Sequence, residues 1–399
     1  MSPTNTAKAP IVLHIGDPVK YNPKTYAAFS SAFTVIRPSA AERQRPEFIT
    51  ALKERRWGDF SAIFRPFWSM GGEMGKWDSE LIALLPESCR VFASAGAGFD
   101  WADTKALGER GIIYCNGGLA AAEAVADFAV AMVISTFRHF PWVTSAAVIP
   151  YISPTSNTTT SSSSNPDAEA AFLFSHEHTV YHSHNPRGHL LGLIGLGKIG
   201  QMIAGKLGNA SMGMQVHYFD VVRRPSADED KLGVTFHDTL RGLMEVSDCI
   251  VVCTPASPTG EPLITRASLG WLKPGGRLVN IARGSLVDED ALADALESGR
   301  VSAAGLDVHA DEPRVSRRLL KFAGVDVASA GTQGGKVDGD GRSVNPGRVM
   351  LTCHNAGGTV ETHVGFEELA MRNIMAVLGG KEAITPVNMH FLNSRGSKL

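Results

Sequence analysis

Three side chains in the second half of the chain form a set that can bind an acid and move a proton. Arg283 closes the apolar run RLVNIAR, Glu312 stands in DVHADEP (307–313), and His354 follows VMLTC. A guanidinium presents paired N–H donors that grip a carboxylate or polarise a carbonyl. An imidazole exchanges a proton near neutral pH, and a carboxylate beside it stabilises the charged form. Taken singly, each has a plainer explanation. An arginine after a strand is more often a surface ion pair, a histidine there a satisfied structural group, and an acid before proline the start of a helix. Their shared position changes the weighing: each ends an apolar run that reads as a strand, on the side of an open α/β sheet where sites form.

A dinucleotide signature accompanies them. Residues 190–200 read LLGLIGLGKIG, an apolar strand running into Gly195-x-Gly197-x-x-Gly200, and Asp220 ends the later run QVHYFD. Gly195 permits a tight turn, Gly197 leaves room for a pyrophosphate against the backbone, and Gly200 lets the next helix pack closely. That helix opens at Lys198 and Ile199, where unpaired N–H groups and the positive dipole end favour phosphate. Asp220 is placed to accept hydrogen bonds from a ribose diol. A GxGxxG alone says little, but strand, helix and acid together specify a bound dinucleotide. The acid favours NAD, since a carboxylate repels a 2′-phosphate, while Arg223 and Arg224 just behind it keep NADP open.

The elements that must position these residues come from two kinds of region. At 399 residues the chain exceeds one ordinary core, so two domains are expected. IVLHIG (11–16), SAIFRP (61–66), RVFASAG (90–96) and GIIYCN (111–116) alternate with amphipathic stretches and read as a small βα domain. From Leu190 onward, LLGLIG, QVHYFD, GVTFH, CIVVCTP, RLVNIA, AAGLDV and VMLTCH alternate with helical stretches, the pattern of a parallel sheet covered on both faces. Residues 120–140 form one long Ala-rich helix suited to an inter-domain position. The helix after Gly358 is expected to return to the N-terminal domain. The fold class is therefore α/β in two domains. A Rossmann-type nucleotide domain (119–357) is inserted into a smaller flavodoxin-like substrate domain (1–118 and 358–399), with a ligand expected in the cleft between them. Two insertions, near 150–186 and 325–347, are rich in Ser/Thr and in Gly/Ser/Asp and read as solvated loops. The first carries His176, His178, His182, His184 and His189, read as residues of a solvated loop rather than metal ligands.

Composition excludes several classes. A net charge of −2 with scattered basic residues argues against nucleic-acid binding. No uninterrupted apolar run has the length of a membrane span, and the polar start is not a secretory signal. The five cysteines lie mostly in apolar runs and read as reduced, without metal-ligand spacing. The terminal Ser397-Lys398-Leu399 is the tripeptide read by the peroxisomal import receptor, so a peroxisomal location is expected.

At GLGKIG (195–200), NIARGSLVDEDALADAL (280–296), AAGLDVHADEP (303–313) and LTCHNAGG (351–358) the chain resembles the D-isomer-specific 2-hydroxyacid dehydrogenases, over most of its length. The resemblance implies reversible hydride transfer between NAD(H) and a 2-oxo/2-hydroxy acid. It makes Arg283 the carbonyl and carboxylate binder, His354 the acid/base and Glu312 its partner. It further implies that Asp307 contacts the nicotinamide carboxamide, and that Thr254, Pro255, Ala282 and His354 lie against the coenzyme. SAGAGFD (94–100) resembles the family's carboxylate-binding loop, with Ala97 and Gly98 supplying the N–H groups; without the resemblance a plain strand-to-helix turn would explain the glycines. Paired subunits, through the Ala-rich helix region, are also implied. HNPRGHLLGLIGLGKIG and the long insertions look closest to fungal D-mandelate-type members.

Two departures stand out: Cys353 replaces the proline usual before the histidine, and the spacing from Glu312 to His354 is longer than usual. Glu312 speaks against a formate dehydrogenase, which by family pattern carries glutamine there. A phosphoglycerate dehydrogenase with an appended regulatory domain is disfavoured by the short stretch after residue 390. A non-catalytic NAD-sensing adaptor on the same scaffold retains these residues and stays open. For the substrate, Phe64, Phe67 and Trp68 read either as an apolar pocket for an aromatic or branched acid or, more simply, as packing. The peroxisomal address points instead to glyoxylate or hydroxypyruvate.

Overall fold

The computed structural model describes residues 9–66, 74–152, 166–256, 260–324 and 347–392. The chain divides into two compact units, Met1–Ala124 with Gly358–Leu399, and Val125–Gly357. The first boundary falls inside a helix, Gly118–Arg138, rather than ahead of it.

The first unit holds five parallel strands: β1 (Ile11–His14), β2 (Thr34–Ile36), β3 (Ala62–Arg65), β4 (Val91–Ser94) and β5 (Ile113–Cys115), in the order β2-β1-β3-β4-β5. That is the flavodoxin-like order. The strand TVI of β2 escapes a sequence reading because it is three residues long and partly exposed at the edge. β3 and β4 are buried at every position, as helix-covered parallel strands must be. Ala370, Met371, Ile374 and Val377 of the helix Val360–Leu378 pack against Phe64, Val91 and Ala93. The same helix supplies Glu367, 5% exposed, whose carboxylate accepts from the backbone N–H groups of Lys20, Tyr21 and Asn22 at 2.7, 2.8 and 3.0 Å. Phe64 is fully buried in this core, so packing, not a substrate pocket, is its role.

The second unit contains seven parallel strands, in the order β12-β11-β10-β9-β6-β7-β8. They are β6 (Leu190–Ile194), β7 (Gln215–Phe219), β8 (Val234–Phe236), β9 (Cys249–Val252), β10 (Gly276–Asn280), β11 (Val301–Leu306) and β12 (Val349–Leu351). All seven expected strands form, and β9 and β10 are buried throughout. Helix Glu289–Glu297 starts where Asp288 accepts from the Ala291 N–H and lays Leu292 and Leu296 into the core beside Ile250 and Leu278. Each such leucine contributes roughly 2 kcal/mol by leaving water.

Several expectations are corrected. The single long helix breaks at His139, which adopts a left-handed φ of 50°, and a second helix, Phe140–Ile152, follows. The 150–186 insertion is not simply a loop. It includes the end of that helix, the helix Pro166–His178 and a 3-10 turn, Thr179–Tyr181. Two of the histidines there are accordingly built in: His178 stacks on Phe174 at 4.1 Å and His182 packs near Trp142, while His176 and His184 are exposed. Among the described residues no group of three His, Cys, Asp or Glu side chains is placed to hold a metal ion. One helix, Gly118–Arg138, is long and apolar enough by length and composition to cross a membrane, although Glu123 and Asp127 interrupt its apolar run, as read from the sequence. Its Ala126, Ala129, Met132, Val133 and Phe137 are fully buried in the protein, and its Asp127 is ion-paired with Lys206 at 2.8 Å. Phe67, Trp68, the Ser/Thr-rich stretch, nearly all of 325–347 and the Ser-Lys-Leu tripeptide lie outside the described residues.

Candidate active site

The turn after β6 shows why its glycines are there. Gly195 has φ +101°, and a Cβ on it would stand 3.0 Å from the Cys253 carbonyl oxygen and 3.2 Å from Thr254 Cα. The Gly200 Cα faces the Gly195 carbonyl so closely that a Cβ would come within 2.5 Å of its oxygen. Above Gly197 there is open space instead. Gly197 caps the helix Lys198–Leu207, and no side chain occupies that N-terminus. Lys198 is exposed, Ile199 half-buried. Asp220, just past β7, accepts from the Leu196 N–H at 2.8 Å, which ties the acid to the glycine turn. Thr254 and Pro255 follow Cys253 on the adjoining strand end, and burial pushes the Cys253 thiol up to about 12, leaving it a neutral donor to the Gly195 carbonyl. An uncapped helix start, an open glycine and an acid at the next strand end fit a dinucleotide. Lys198, Ile199 and Gly200 would hold its phosphates through their N–H groups and Asp220 its ribose.

Arg223 and Arg224 differ in what they do. Arg223 is a bidentate partner of Glu229, at 3.0 and 2.9 Å, so its fork is already filled. Arg224 donates to the Leu196 carbonyl at 3.0 Å and so helps to hold the turn.

The acid/base pair is made by two strand ends, those of β11 and β12. His354 Nδ1 lies 2.9 Å from Glu312 Oε2, and the other carboxylate oxygen accepts from the His309 N–H at 3.0 Å. With Nδ1–H donating to the carboxylate, Nε2 is the atom left to exchange a proton. His354 has φ +53°, a conformation that a non-glycine residue keeps only when its surroundings impose it. Asp307 imposes it. Its carbonyl accepts from the His354 N–H at 2.7 Å, and its carboxylate, 1% exposed, accepts from Thr352 Oγ1, Asn355 N and Ala356 N at 2.6–2.9 Å. This clamp supplies the rigidity that Cys353, an exposed free cysteine, does not. Asp307, for which the resemblance implies a carboxamide contact, has its oxygens engaged in the histidine turn.

The long spacing from Glu312 to His354 is absorbed before β12 begins. Ala323 pairs with Gly347, and both Arg348 and Val349 donate to the Phe322 carbonyl at 2.7 and 2.8 Å. The two ends of the insertion meet there, so β12 starts from a point fixed at Phe322.

Arg283 stands just past β10, and its guanidinium donates to the Ala282 carbonyl at 2.7 Å. Its turn is set by Asn280, fully buried, which accepts from Ala282 N at 3.0 Å and donates to the Arg283 carbonyl at 2.8 Å. Gly284 lets this turn rest directly on the next segment: a Cβ there would stand 1.9 Å from the His309 carbonyl carbon. Arginine and glutamate segments are thus in backbone contact. Sequence reasoning passed over Asn280 and Thr352; an asparagine ending an apolar strand three residues before the arginine was the available signal.

In the other unit, Ala97 and Gly98 follow β4. Asn116 donates to the Ala97 carbonyl at 2.8 Å and Gly117 N to the Gly96 carbonyl at 2.7 Å. Among the described residues neither the Ala97 nor the Gly98 N–H has an acceptor, as an anion-binding loop requires.

Comparison with known proteins bears on this arrangement directly. A family model described as "D-isomer specific 2-hydroxyacid dehydrogenase, NAD binding domain" matches residues 163–328. The structure of D-mandelate dehydrogenase from Rhodotorula graminis is 36% identical, with a TM-score of 0.80, and the match covers 95% of this chain and 97% of that one. The chain belongs to the D-isomer-specific 2-hydroxyacid dehydrogenases. It is also similar to 4-methyl-2-oxopentanoate reductase A of Aspergillus oryzae, 28% identical over 95% of this chain and 98% of the relative. A third relative is an NADPH-dependent glyoxylate/hydroxypyruvate reductase from Sinorhizobium meliloti, 26% identical with a TM-score of 0.66, covering 98% of this chain and all of that one. Membership makes the protein an oxidoreductase with an NAD(P)-binding Rossmann domain that acts on 2-oxo/2-hydroxy acids.

Proposed function

We propose that this dehydrogenase reduces a 2-oxo acid bearing a branched or aromatic side chain to the D-2-hydroxy acid, with NADH as coenzyme and His354 as proton donor. The His354–Glu312 contact at 2.9 Å, on the sheet edge that carries the dinucleotide turn, is the observation on which the reading rests. The bound coenzyme supplies the hydride. Arg283, with the Ala97 and Gly98 N–H groups, holds the substrate carboxylate and orients the carbonyl. Arg283 also stabilises the charge that develops on the carbonyl oxygen, while His354 Nε2 delivers the proton to it. Glu312 fixes the ring and its tautomer from the Nδ1 side.

NAD rather than NADP is supported by Asp220 and by the engagement of Arg223 with Glu229. The bulky side chain is supported by the names of two relatives, D-mandelate dehydrogenase and 4-methyl-2-oxopentanoate reductase. Peroxisomal import through Ser397-Lys398-Leu399, and paired subunits with no nucleic-acid or membrane partner, belong to the same proposal. Loss of NADH absorbance against glyoxylate, hydroxypyruvate, 4-methyl-2-oxopentanoate and benzoylformate tests it. The expected result is a kcat/KM at least about tenfold higher for one of the two larger acids, a preference that apolar side-chain contacts readily supply. Preference for glyoxylate would overturn the substrate class. NADH binding without turnover of any acid would favour the adaptor.

A further inference from the structure

The opposite edge of the nucleotide sheet carries a cluster of basic groups that the reaction does not use. Arg277 begins the second position of β10, in register with Cys249 of β9, and is only 6% exposed. Its guanidinium lies over the Phe137 ring at 4.1 Å. Its one hydrogen bond, from Nε to the Thr136 carbonyl, is long at 3.4 Å. The remaining four N–H donors have no acceptor among the described residues. The nearby acid is already committed: Asp248 is paired with Lys273 at 2.8 Å and accepts from the Leu190 N–H at 2.7 Å.

Histidines complete the cluster. His189, just ahead of β6, meets the Phe137 ring edge-on at 5.0 Å, and its buried Nδ1 has no partner. His184 lies 5.8 Å from His189, ring to ring, is exposed, and donates its N–H to the Phe137 carbonyl. A guanidinium buried without a carboxylate is costly, and an unpaired imidazole nitrogen beside it adds to that cost. A cation near a helix C-terminus explains the Thr136 contact but leaves the other four donors unused.

We propose that Arg277, His189 and His184 form a second anion site, separate from the coenzyme and substrate sites, that binds a small carboxylate or phosphate. The guanidinium offers the anion a planar pair of donors and the histidines close it from the solvent side. The anion turns an uncompensated buried charge into a hydrogen-bonded pair.

Calorimetric titration of the NADH-saturated protein with inorganic phosphate, and separately with malonate, at ionic strength held constant with chloride, tests the site. The expected result is one phosphate bound with a Kd of about 1 mM or tighter. Binding should weaken about tenfold or more in Arg277→Gln and measurably in His184→Gln, with turnover unchanged in the latter. Comparison of the two titrants tells which anion the site prefers. Whether or not Arg277→Gln folds, arsenate soaked into crystals of the wild-type protein gives an independent reading, an anomalous peak between Arg277 and His184. Binding no stronger than chloride, or equally strong in all three proteins, would overturn the proposal. So would a change of oligomer mass in Arg277→Gln without phosphate binding in the wild type, which would assign the arginine to an acidic side chain of a second copy.

Discussion

At the carboxyl edge of the seven-stranded sheet, each acid of the candidate site has a named donor: Glu312 has His354 and the His309 N–H, Asp307 has Thr352, Asn355 and Ala356, and Asp220 has Leu196. At the amino edge the arrangement is reversed. Arg277 has four donors without an acceptor, and burial holds the imidazole of His139 at about 4. The carboxyl edge invests its hydrogen bonds in geometry, fixing a strained histidine turn and a glycine loop. The amino edge keeps basic groups desolvated, a state that affects stability and anion binding rather than turnover.

The largest expected effect tests the first half of this contrast. His354→Asn should lower kcat by about 10²–10⁴, the usual worth of a positioned proton donor, while NADH binding, followed by fluorescence, stays as in the wild type. A near-normal kcat would remove His354 from the chemistry.

The amino edge gives the next effect, on stability. His139 is 3% exposed, and its value is lowered from 6.5 to about 4, chiefly by burial and then by Arg277. The unfolded chain therefore binds the proton more readily, and the stabilisation is complete above pH 6.5 and lost as pH falls through about 4. Against a His139→Gln variant, the wild type should lose on the order of 3 kcal/mol more between pH 7 and pH 4 in denaturant titrations. Parallel curves would mean that His139 takes up its proton alike in the folded and the unfolded chain.

The smallest effect sharpens the coenzyme assignment. Asp220→Ala should move the NADH:NADPH ratio of kcat/KM toward NADPH by about tenfold, because a carboxylate next to a 2′-phosphate costs of the order of one such step. An unchanged ratio would mean that Asp220 only braces Leu196.

Much of this was legible in the residues. Strands buried on both faces, such as CIVV and RLVN, announce themselves as unbroken apolar runs, and the glycine turn announces itself by spacing. The positions of Arg283, Glu312 and His354 at strand ends followed from those runs. What escaped depends on contacts between segments far apart in the chain. The clamp of Asp307 on the turn after β12 joins residues some 45 apart, and no local pattern marks it. Gly284 looked like an ordinary turn residue until the His309 backbone was found beneath it. Arg223 looked available for a phosphate; Glu229 is only six residues on, but it takes the start of the helix Ser226–Leu232 to turn it onto the fork. The histidine-rich stretch read as solvated because polar composition outweighs the weaker helix signal of AEAAFLFSHEH, whose apolar residues do not fall on one stripe.

The bridge between Ala323 and Gly347 has an implication for how such a chain can change over generations. Whatever sequence enters between these two residues, the chain leaves through the same bridge and is tied again to Phe322 before β12. The bridge is thus a port at which length can vary while the entry to the last strand stays fixed.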